Sequence, residues 1–195
     1  HCEKILIQEA NGVTDNPLVF SEFDKVLSGG NFHAEPVAFV ADIMAMLIAE
    51  IGNLAERRVA FLVDNHHSNL PAFLAKDPGI NSGFMITHVT MSALASENKA
   101  LSMPRSVDTI PTSANQEDHV SMATNAGLRL FNMMDNLKDI LAIELLTVTQ
   151  AIDFHKALDS GSELDKIYQK VRSKINFAEE DKFLYEDINI ARELI

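Results

Sequence analysis

Cysteine is nearly absent from this sequence of 195 residues, which has a single cysteine, Cys2. One cysteine excludes a disulfide within the chain and fits a reducing compartment, so we expect a cytoplasmic protein. Basic residues are also scarce, with 16 Lys and Arg against 28 Asp and Glu and a net charge of -12. This balance argues against nucleic acids and membrane surfaces as partners, because both are anionic and attract basic proteins.

Long uncharged apolar runs are missing as well. No such run approaches the ~20 residues of a membrane span, and the chain does not open with the basic and apolar segments of a signal peptide. Hydrophobic residues still make up 47% of the chain, which is enough for a substantial core. We therefore expect a soluble, folded protein.

A metal site is not indicated, although His66 and His67 are neighbours. Metal ligands on a helix stand three or four residues apart, and a di-iron bundle uses two Glu-x-x-His elements, which this sequence lacks. We expect these histidines to be solvated at a helix end and expect no bound metal.

Apolar residues recur at helical spacing in three long stretches, while alternation with a period of two is scarce. The stretches predict helices near residues 34–65, 82–102 and 115–158. We expect an all-α fold, a bundle of three long, roughly antiparallel helices followed by shorter C-terminal helices. It would form a single domain over 1–195, with a loop-rich opening at 1–33, the bundle at 34–158 and the shorter helices at 159–195.

The longest predicted helix, 115–158, is apolar around most of its circumference. A helix that is apolar on most sides is buried on most sides, and one chain of this size has too few elements to cover it. We therefore expect a homo-oligomer in which copies of this helix pack together.

A polar segment, TIPTSANQEDHVSM at 109–122, precedes that helix. Thr112 and Ser113 stand before Gln116 and Glu117 at the spacing of a capping box, in which side chains satisfy free backbone groups at a helix start. Capping and the helix dipole alone would account for acidic residues in a first turn.

Four other residues have ordinary structural explanations. A phenylalanine just before a helix, such as Phe32, commonly packs as a hydrophobic staple, and Asn16 before Pro17 is typical of a turn. Met85 and Val89 lie one turn apart on one helix face, where apolar residues usually belong to a core.

Four blocks also carry a family resemblance. In chain order they are VTDNPLVF at 13–20, GGNFHAEPVAF at 29–39, NSGFMITHVTMSALASENKAL at 81–101 and SVDTIPTSANQEDHVSM at 106–122. Their order and spacing resemble the C-terminal part of the aromatic amino acid ammonia-lyase family, in particular its histidine-deaminating members. The resemblance implies a carbon-nitrogen lyase of histidine catabolism, a homotetramer that eliminates ammonia from L-histidine to give trans-urocanate.

The resemblance also implies residue roles. Glu117 and Phe32 would be catalytic, and the substrate would be bound by Gln116, Met85, Val89 and Asn16. Glu117 stands where phenylalanine and tyrosine lyases tend to carry glutamine, and its carboxylate can accept from an imidazole N–H, which a phenyl ring lacks. The family also allows this acid to transfer a proton. We expect Glu117 and Phe32 to face one cavity.

One part of the family machinery is missing from this sequence. The family builds its electrophile, 4-methylideneimidazol-5-one, from an Ala-Ser-Gly tripeptide, and no such tripeptide occurs here. The family's catalytic tyrosine and carboxylate-binding arginine precede the matching region. The resemblance thus implies the C-terminal portion of the enzyme, inactive without its N-terminal half.

Two other functions are compatible with parts of the sequence. A lyase or aminomutase of the same family could act on another aromatic amino acid, although Glu117 and the SANQED segment argue against it. A non-catalytic helical oligomerisation module would need no electrophile.

Overall fold

α-Helices form most of the chain in the computed structural model, which describes residues 1–155 and 161–195. In chain order the helices are α1 Cys2–Asn11, α2 Glu35–Val63, α3 Asn65–Ser68, α4 Met85–Leu101, α5 Ala123–Phe154, α6 Ser162–Arg172 and α7 Tyr185–Arg192. Two short antiparallel strands, β1 Leu18–Phe20 and β2 Lys25–Leu27, form a hairpin in the region that the sequence analysis expects to be loop. The predicted all-α class is confirmed.

The start of α5 differs from the sequence prediction. The helix begins at Ala123 rather than at residue 115, and the predicted capping box does not form. Three consecutive residues, Ser113, Ala114 and Asn115, have left-handed φ angles of 53°, 56° and 69°, which cannot continue into a right-handed helix. The predicted end at Leu158 and the predicted segment boundary after it fall on residues 156–160, outside the described residues.

The start of α4 is capped by a residue that is distant in sequence. The carboxylate of Asp181 accepts hydrogen bonds from the backbone N–H groups of Ser82 at 2.8 Å and Gly83 at 2.7 Å. Gly83 has a φ of +52°, and a Cβ there would lie 2.5 Å from the carbonyl oxygen of Phe73. The turn before α4 therefore requires glycine.

The described chain forms two compact units, and their boundaries fall within α2, α4 and α5. The first unit contains His1–Ile48 and Lys99–Met133, and the second contains Ala49–Asn98 and Met134–Ile195. The expectation of a single domain stays a prediction.

The first unit is organised around a buried carboxylate, Asp42 of α2. It accepts backbone hydrogen bonds from Arg105 at 3.0 Å and Ser106 at 2.9 Å, a bond from the Ser106 hydroxyl at 2.6 Å, and an ion pair from Arg129. Arg129 also donates to the carbonyl oxygens of Leu101, at 2.9 Å, and Met103. Burial raises the pKa of Asp42, but these bonds and the charge of Arg129 lower it more, so the net pKa lies below its usual value.

The second unit holds an apolar core in which the middle of α5 is buried. Ile140, Ala142, Ile143 and Leu146 are at most 4% exposed, and residues of α2, α4, α6 and α7 belong to the same cluster. Other apolar residues of α5, namely Leu128, Phe131 and Met134, stay exposed, so the argument that other copies cover this helix stays a prediction. The chain itself buries the apolar middle, because the shorter C-terminal helices contribute to the core.

Among the described residues, one helix, α2, is long and apolar enough to cross a membrane by length and composition. The core helix of a soluble protein passes the same test, so this is weak evidence for a span. Two buried carboxylates, those of Asp42 and Glu56, lie on α2, and each has an ion-pair partner within its own unit.

Glu56 is the centre of a polar network in the second unit. Its carboxylate accepts from the guanidinium of Arg57 at 2.5 Å, from Nε2 of His88 at 2.9 Å and from the hydroxyl of Ser92 at 2.9 Å. Burial raises the pKa of Glu56, but these hydrogen bonds and the charge of Arg57 outweigh it and lower the pKa from 4.5 to about 2. The ionised form is thus strongly preferred in the folded protein.

This network predicts a specific acid sensitivity. Because the pKa of Glu56 is lower in the folded than in the unfolded protein, its contribution to stability is fully present above pH 4.5 and is lost as the pH falls towards about 2. The contribution is roughly 3 kcal/mol. Glu56→Gln should therefore lower the thermal unfolding temperature near neutral pH and flatten its decline as the pH falls from 4.5 to about 2.

The matched control is Glu50→Gln, which changes an exposed glutamate of the same helix. It should leave both the unfolding temperature and its acid dependence nearly as in the unmodified protein. Equal pH profiles for the Glu56 variant and the unmodified protein would contradict the assigned network.

Candidate active site

The polar segment at 109–122 is a closed loop rather than a helix start. The backbone N–H of Thr112 donates to the carbonyl of Glu117 at 2.9 Å, and the N–H of Glu117 donates back at 3.3 Å. The hydroxyl of Thr109 accepts from the N–H of Val120 at 2.9 Å. These bonds present residues 113–116 as a tight turn with Glu117 at its base.

Backbone strain is concentrated around this loop. Besides the three left-handed residues at 113–115, Met122 has a φ of 58°, and Ala34, just after Phe32 and His33, has a φ of 59°. None of them is glycine, and such conformations cost about 1–3 kcal/mol each and cluster at functional sites. The strain marks both the loop and the segment before α2 as candidate site elements.

The Glu117 side chain is available to a ligand. It is partly exposed, and within residues 1–155 and 161–195 its carboxylate makes no hydrogen bond or ion pair. Gln116 beside it is exposed on the same turn. An ionised carboxylate next to a neutral amide offers a strong acceptor together with two N–H donors, which suits a polar ligand with N–H groups.

Phe32 lies in the same unit as Glu117, at the end of the segment that leads into α2. Its ring is 41% exposed and packs on His33 at a centroid distance of 4.3 Å. A hydrophobic staple would be covered by its helix, whereas this ring keeps a free apolar surface. Two contacts, described below, join its segment to the Glu117 loop.

Asn16 makes hydrogen bonds to the chain shortly before the Phe32 segment. Its side-chain oxygen accepts from the hydroxyl of Ser28 at 3.0 Å and from the N–H of Gly29 at 3.2 Å. A Cβ at Gly29 would lie 3.0 Å from the carbonyl oxygen of Asp15, so a larger residue would push these two loops apart by a few tenths of an ångström. Asn16 thus acts as a clamp between two loops, a role that its local turn sequence does not reveal.

Met85 and Val89 belong to the second unit, where they lie on α4. Val89 is 57% exposed and Met85 is partly buried, while Phe84 and Met91 of the same region are fully buried. The side chain of Val89 is thus not part of the core. Its predicted place in a substrate pocket stays a prediction.

The histidines at 66 and 67 have a structural role. The carboxylate of Asp64 accepts from the N–H of His66 at 2.8 Å and contacts Nδ1 of His67 at 2.8 Å, which caps α3. In the part of the chain that the structure describes, no group of three or more His, Cys, Asp or Glu side chains could hold a metal.

Three residues of this region were not identified as site residues from sequence. They are Glu35, the first residue of α2, and His119 and Ser121, which precede α5. In the structure Nε2 of His119 lies 3.1 Å from the Glu35 carboxylate, and the Ser121 hydroxyl donates to the carbonyl of His33. All three lie inside the blocks that carry the resemblance, which is the signal that could have found them.

Known proteins are similar to this chain along nearly its whole length. A family model described as aromatic amino acid lyase matches residues 1–173. A histidine ammonia-lyase of Idiomarina loihiensis is 55% identical over 195 residues, which cover 100% of this chain and 38% of that relative. The chain thus spans little more than a third of the length of that curated relative.

Two solved structures show the same fold. The crystal structure of histidine ammonia-lyase from Trypanosoma cruzi matches with a TM-score of 0.92 and 45% identity, covering 99% of this chain and 39% of that one. Tyrosine aminomutase from Streptomyces globisporus matches with a TM-score of 0.90 and 32% identity, covering 99% and 37%. The chain belongs to the aromatic amino acid lyase family.

Proposed function

We propose that the intact protein containing this chain eliminates ammonia from L-histidine to give trans-urocanate, and that this chain supplies the side of the site that recognises the substrate. The observation that carries the proposal is Glu117, an uncommitted carboxylate on a strained, closed loop. The names of the relatives from Idiomarina loihiensis and Trypanosoma cruzi support histidine as the substrate.

Glu117 binds the imidazole ring of histidine in this proposal. As an ionised carboxylate it accepts a hydrogen bond from a ring N–H, and charge-assisted bonds of this kind are roughly twice as strong as neutral ones. It is also placed to take up or return a proton during the elimination. Gln116 orients the substrate amine or Glu117, and Phe32 presents its exposed ring surface to the substrate. The family resemblance also assigns Met85, Val89 and Asn16 to substrate binding.

The family's electrophile, 4-methylideneimidazol-5-one, would come from outside these 195 residues, since they contain no Ala-Ser-Gly. When bound it supplies the centre that takes up the substrate amine and makes ammonia a good leaving group. The residues present fit such a flat ring, because Phe32 keeps 41% of its surface exposed beside the segment that leads into α2. Phe32 would hold the group and exclude water from it.

A second candidate is a lyase or aminomutase that acts on another aromatic amino acid. The structural match with tyrosine aminomutase favours keeping it in the test, because the same fold supports that chemistry. Glu117 argues against it, since a buried or partly buried carboxylate gains nothing from a phenyl ring and would need another partner. In either case we propose a cytoplasmic enzyme, supported by the single cysteine.

The first prediction from this proposal concerns the role of Glu117. In the intact enzyme, Glu117→Gln should lower kcat/KM for L-histidine by roughly 100-fold, because the swap preserves shape but removes the charged acceptor and the proton carrier. The preference for histidine over phenylalanine should also narrow if Glu117 holds the imidazole ring. Initial rates of urocanate formation, followed by ultraviolet absorbance, measure both effects.

Asp118→Asn is the control, because Asp118 is an exposed acid on the neighbouring residue. It should retain the unmodified kcat/KM. An unchanged kcat/KM in the Glu117 variant would contradict the proposed role, and deamination of tyrosine or phenylalanine in preference to histidine would favour the second candidate.

The second prediction concerns the chain by itself. Purified as these 195 residues, it should form no urocanate from L-histidine, because it lacks the tripeptide that gives the electrophile. Transition-state stabilisation depends on a complete preorganised set of groups. Addition of the remaining part of the enzyme as a separate polypeptide should restore activity if the two assemble. Urocanate formation by the isolated chain would overturn this prediction.

The third prediction concerns assembly, which we propose to be a homotetramer. In the second unit α2 exposes Ile51, Leu54 and Phe61, each about half exposed and spaced to share one helix face. Exposed apolar side chains that share a helix face support a role in an interface, although the exposed Arg58 lies between Leu54 and Phe61 on this face. Leu54→Glu with Phe61→Glu should reduce the molar mass of the intact enzyme in light scattering.

A matched pair of substitutions, Leu164→Glu with Ile167→Glu, changes exposed apolar residues of α6 and should leave the mass unchanged. A monomeric intact enzyme at micromolar concentration would refute the tetramer. An equal loss of mass in both double variants would refute the assignment of the interface to α2.

A further inference from the structure

A contact between a histidine and a glutamate joins the two candidate site elements. Nε2 of His119 lies 3.1 Å from the carboxylate of Glu35, the first residue of α2. An ionised carboxylate can only accept, so Nε2 of His119 must carry the proton of this hydrogen bond. The two residues are 84 positions apart in sequence.

A second contact joins the same two site elements. The hydroxyl of Ser121 donates to the carbonyl of His33 and accepts from the N–H of Ala123 at 3.3 Å, at the start of α5. The ring of His33 meets the ring of His119 edge-on at a centroid distance of 5.9 Å. Ser121 is buried, whereas the side chains of Glu35 and His119 remain 26% and 45% exposed.

Both contacts lie close in sequence to the residues of the proposed reaction. Glu35 follows Phe32 by three residues, and His119 follows Glu117 by two. The segment before α2 and the loop at 109–122 both carry left-handed residues, at Ala34 and at 113–115, and strained backbone persists only when surrounding contacts hold it. The bond between Glu35 and His119 connects these two strained stretches, and the bond from Ser121 to the carbonyl of His33 connects them a second time.

We propose that Glu35 is a positioning residue, which acts through His119 to hold the Glu117 loop at the correct distance from the Phe32 segment. The inference rests on the proposed function for its catalytic consequence. Neither Glu35 nor His119 needs to touch the substrate. A displacement of the loop by about 1 Å would be costly, because reaction rates depend steeply on the geometry of bound groups.

The experiment uses the intact enzyme with Glu35→Ala, His119→Ala, the double variant and Glu35→Gln. Glu35→Ala should lower kcat by about 10- to 100-fold and also raise KM, since the misplaced loop carries Glu117 and Gln116, which bind the substrate. His119→Ala should match it, and the double variant should be no worse than either single variant, because both remove the same contact. Glu35→Gln should recover most of the loss, because an amide oxygen still accepts from Nε2–H.

Hydrogen exchange supplies a readout that does not depend on activity. Backbone amides of residues 112–122 should exchange faster in Glu35→Ala than in the unmodified enzyme, while those of α4 and α6 should not change. Glu50→Ala, at an exposed position of the same helix, is the control and should alter neither exchange nor kcat.

Three results would overturn the proposal. They are an unchanged kcat in folded Glu35→Ala, a lower unfolding temperature without faster exchange at 112–122, and additive losses in the double variant. If the unmodified enzyme forms no urocanate, the proposed function fails. Exchange then decides the positioning role alone: faster exchange confined to 112–122 supports it, and unchanged exchange refutes it.

Discussion

A buried carboxylate with no access to bulk water must find partners within the protein, and Asp42 imposes this requirement on the first unit. It draws together α2, the turn at Arg105 and Ser106, and the first turns of α5 through Arg129. Loss of one partner from such a pair typically costs about 3–5 kcal/mol, because the other charge stays buried and unpaired. Asp42 therefore anchors the N-terminal end of the loop that follows Ser106, independently of the contacts made within that loop.

The same loop combines firm anchorage with local strain. Hydrogen bonds close it at Thr112 and Glu117, while three left-handed residues between them raise its energy. The left-handed residues reverse the direction of the chain. Glu117 therefore lies at the base of a turn and not in the first turn of a helix. Its carboxylate has no partner among the described residues, and the ring of His119, two residues further on, is engaged with Glu35. The chemistry proposed for Glu117 depends on this carboxylate being available to the substrate.

The amino-acid sequence predicts the helices well and the site only partly. Helical spacing of apolar residues is a local signal, so α2 and α4 begin and end within a few residues of their predicted bounds. The predicted start of α5 is wrong. The residue pattern at Thr112 and Glu117 is compatible with a hairpin-like turn as well as with a capped helix start. The clamp made by Asn16 and the contact of Glu35 with His119 depend on residues far apart in sequence, which no local pattern encodes.

The central claim is that Glu117 recognises the imidazole ring beside Phe32. The most direct measurement is a crystal structure of the intact enzyme with urocanate bound. The account predicts a ring nitrogen of urocanate at about 3 Å from the Glu117 carboxylate, with the ring of Phe32 against the ligand. A ligand bound in the active site with its imidazole held by other residues, and with Glu117 directed away from it, would contradict the account.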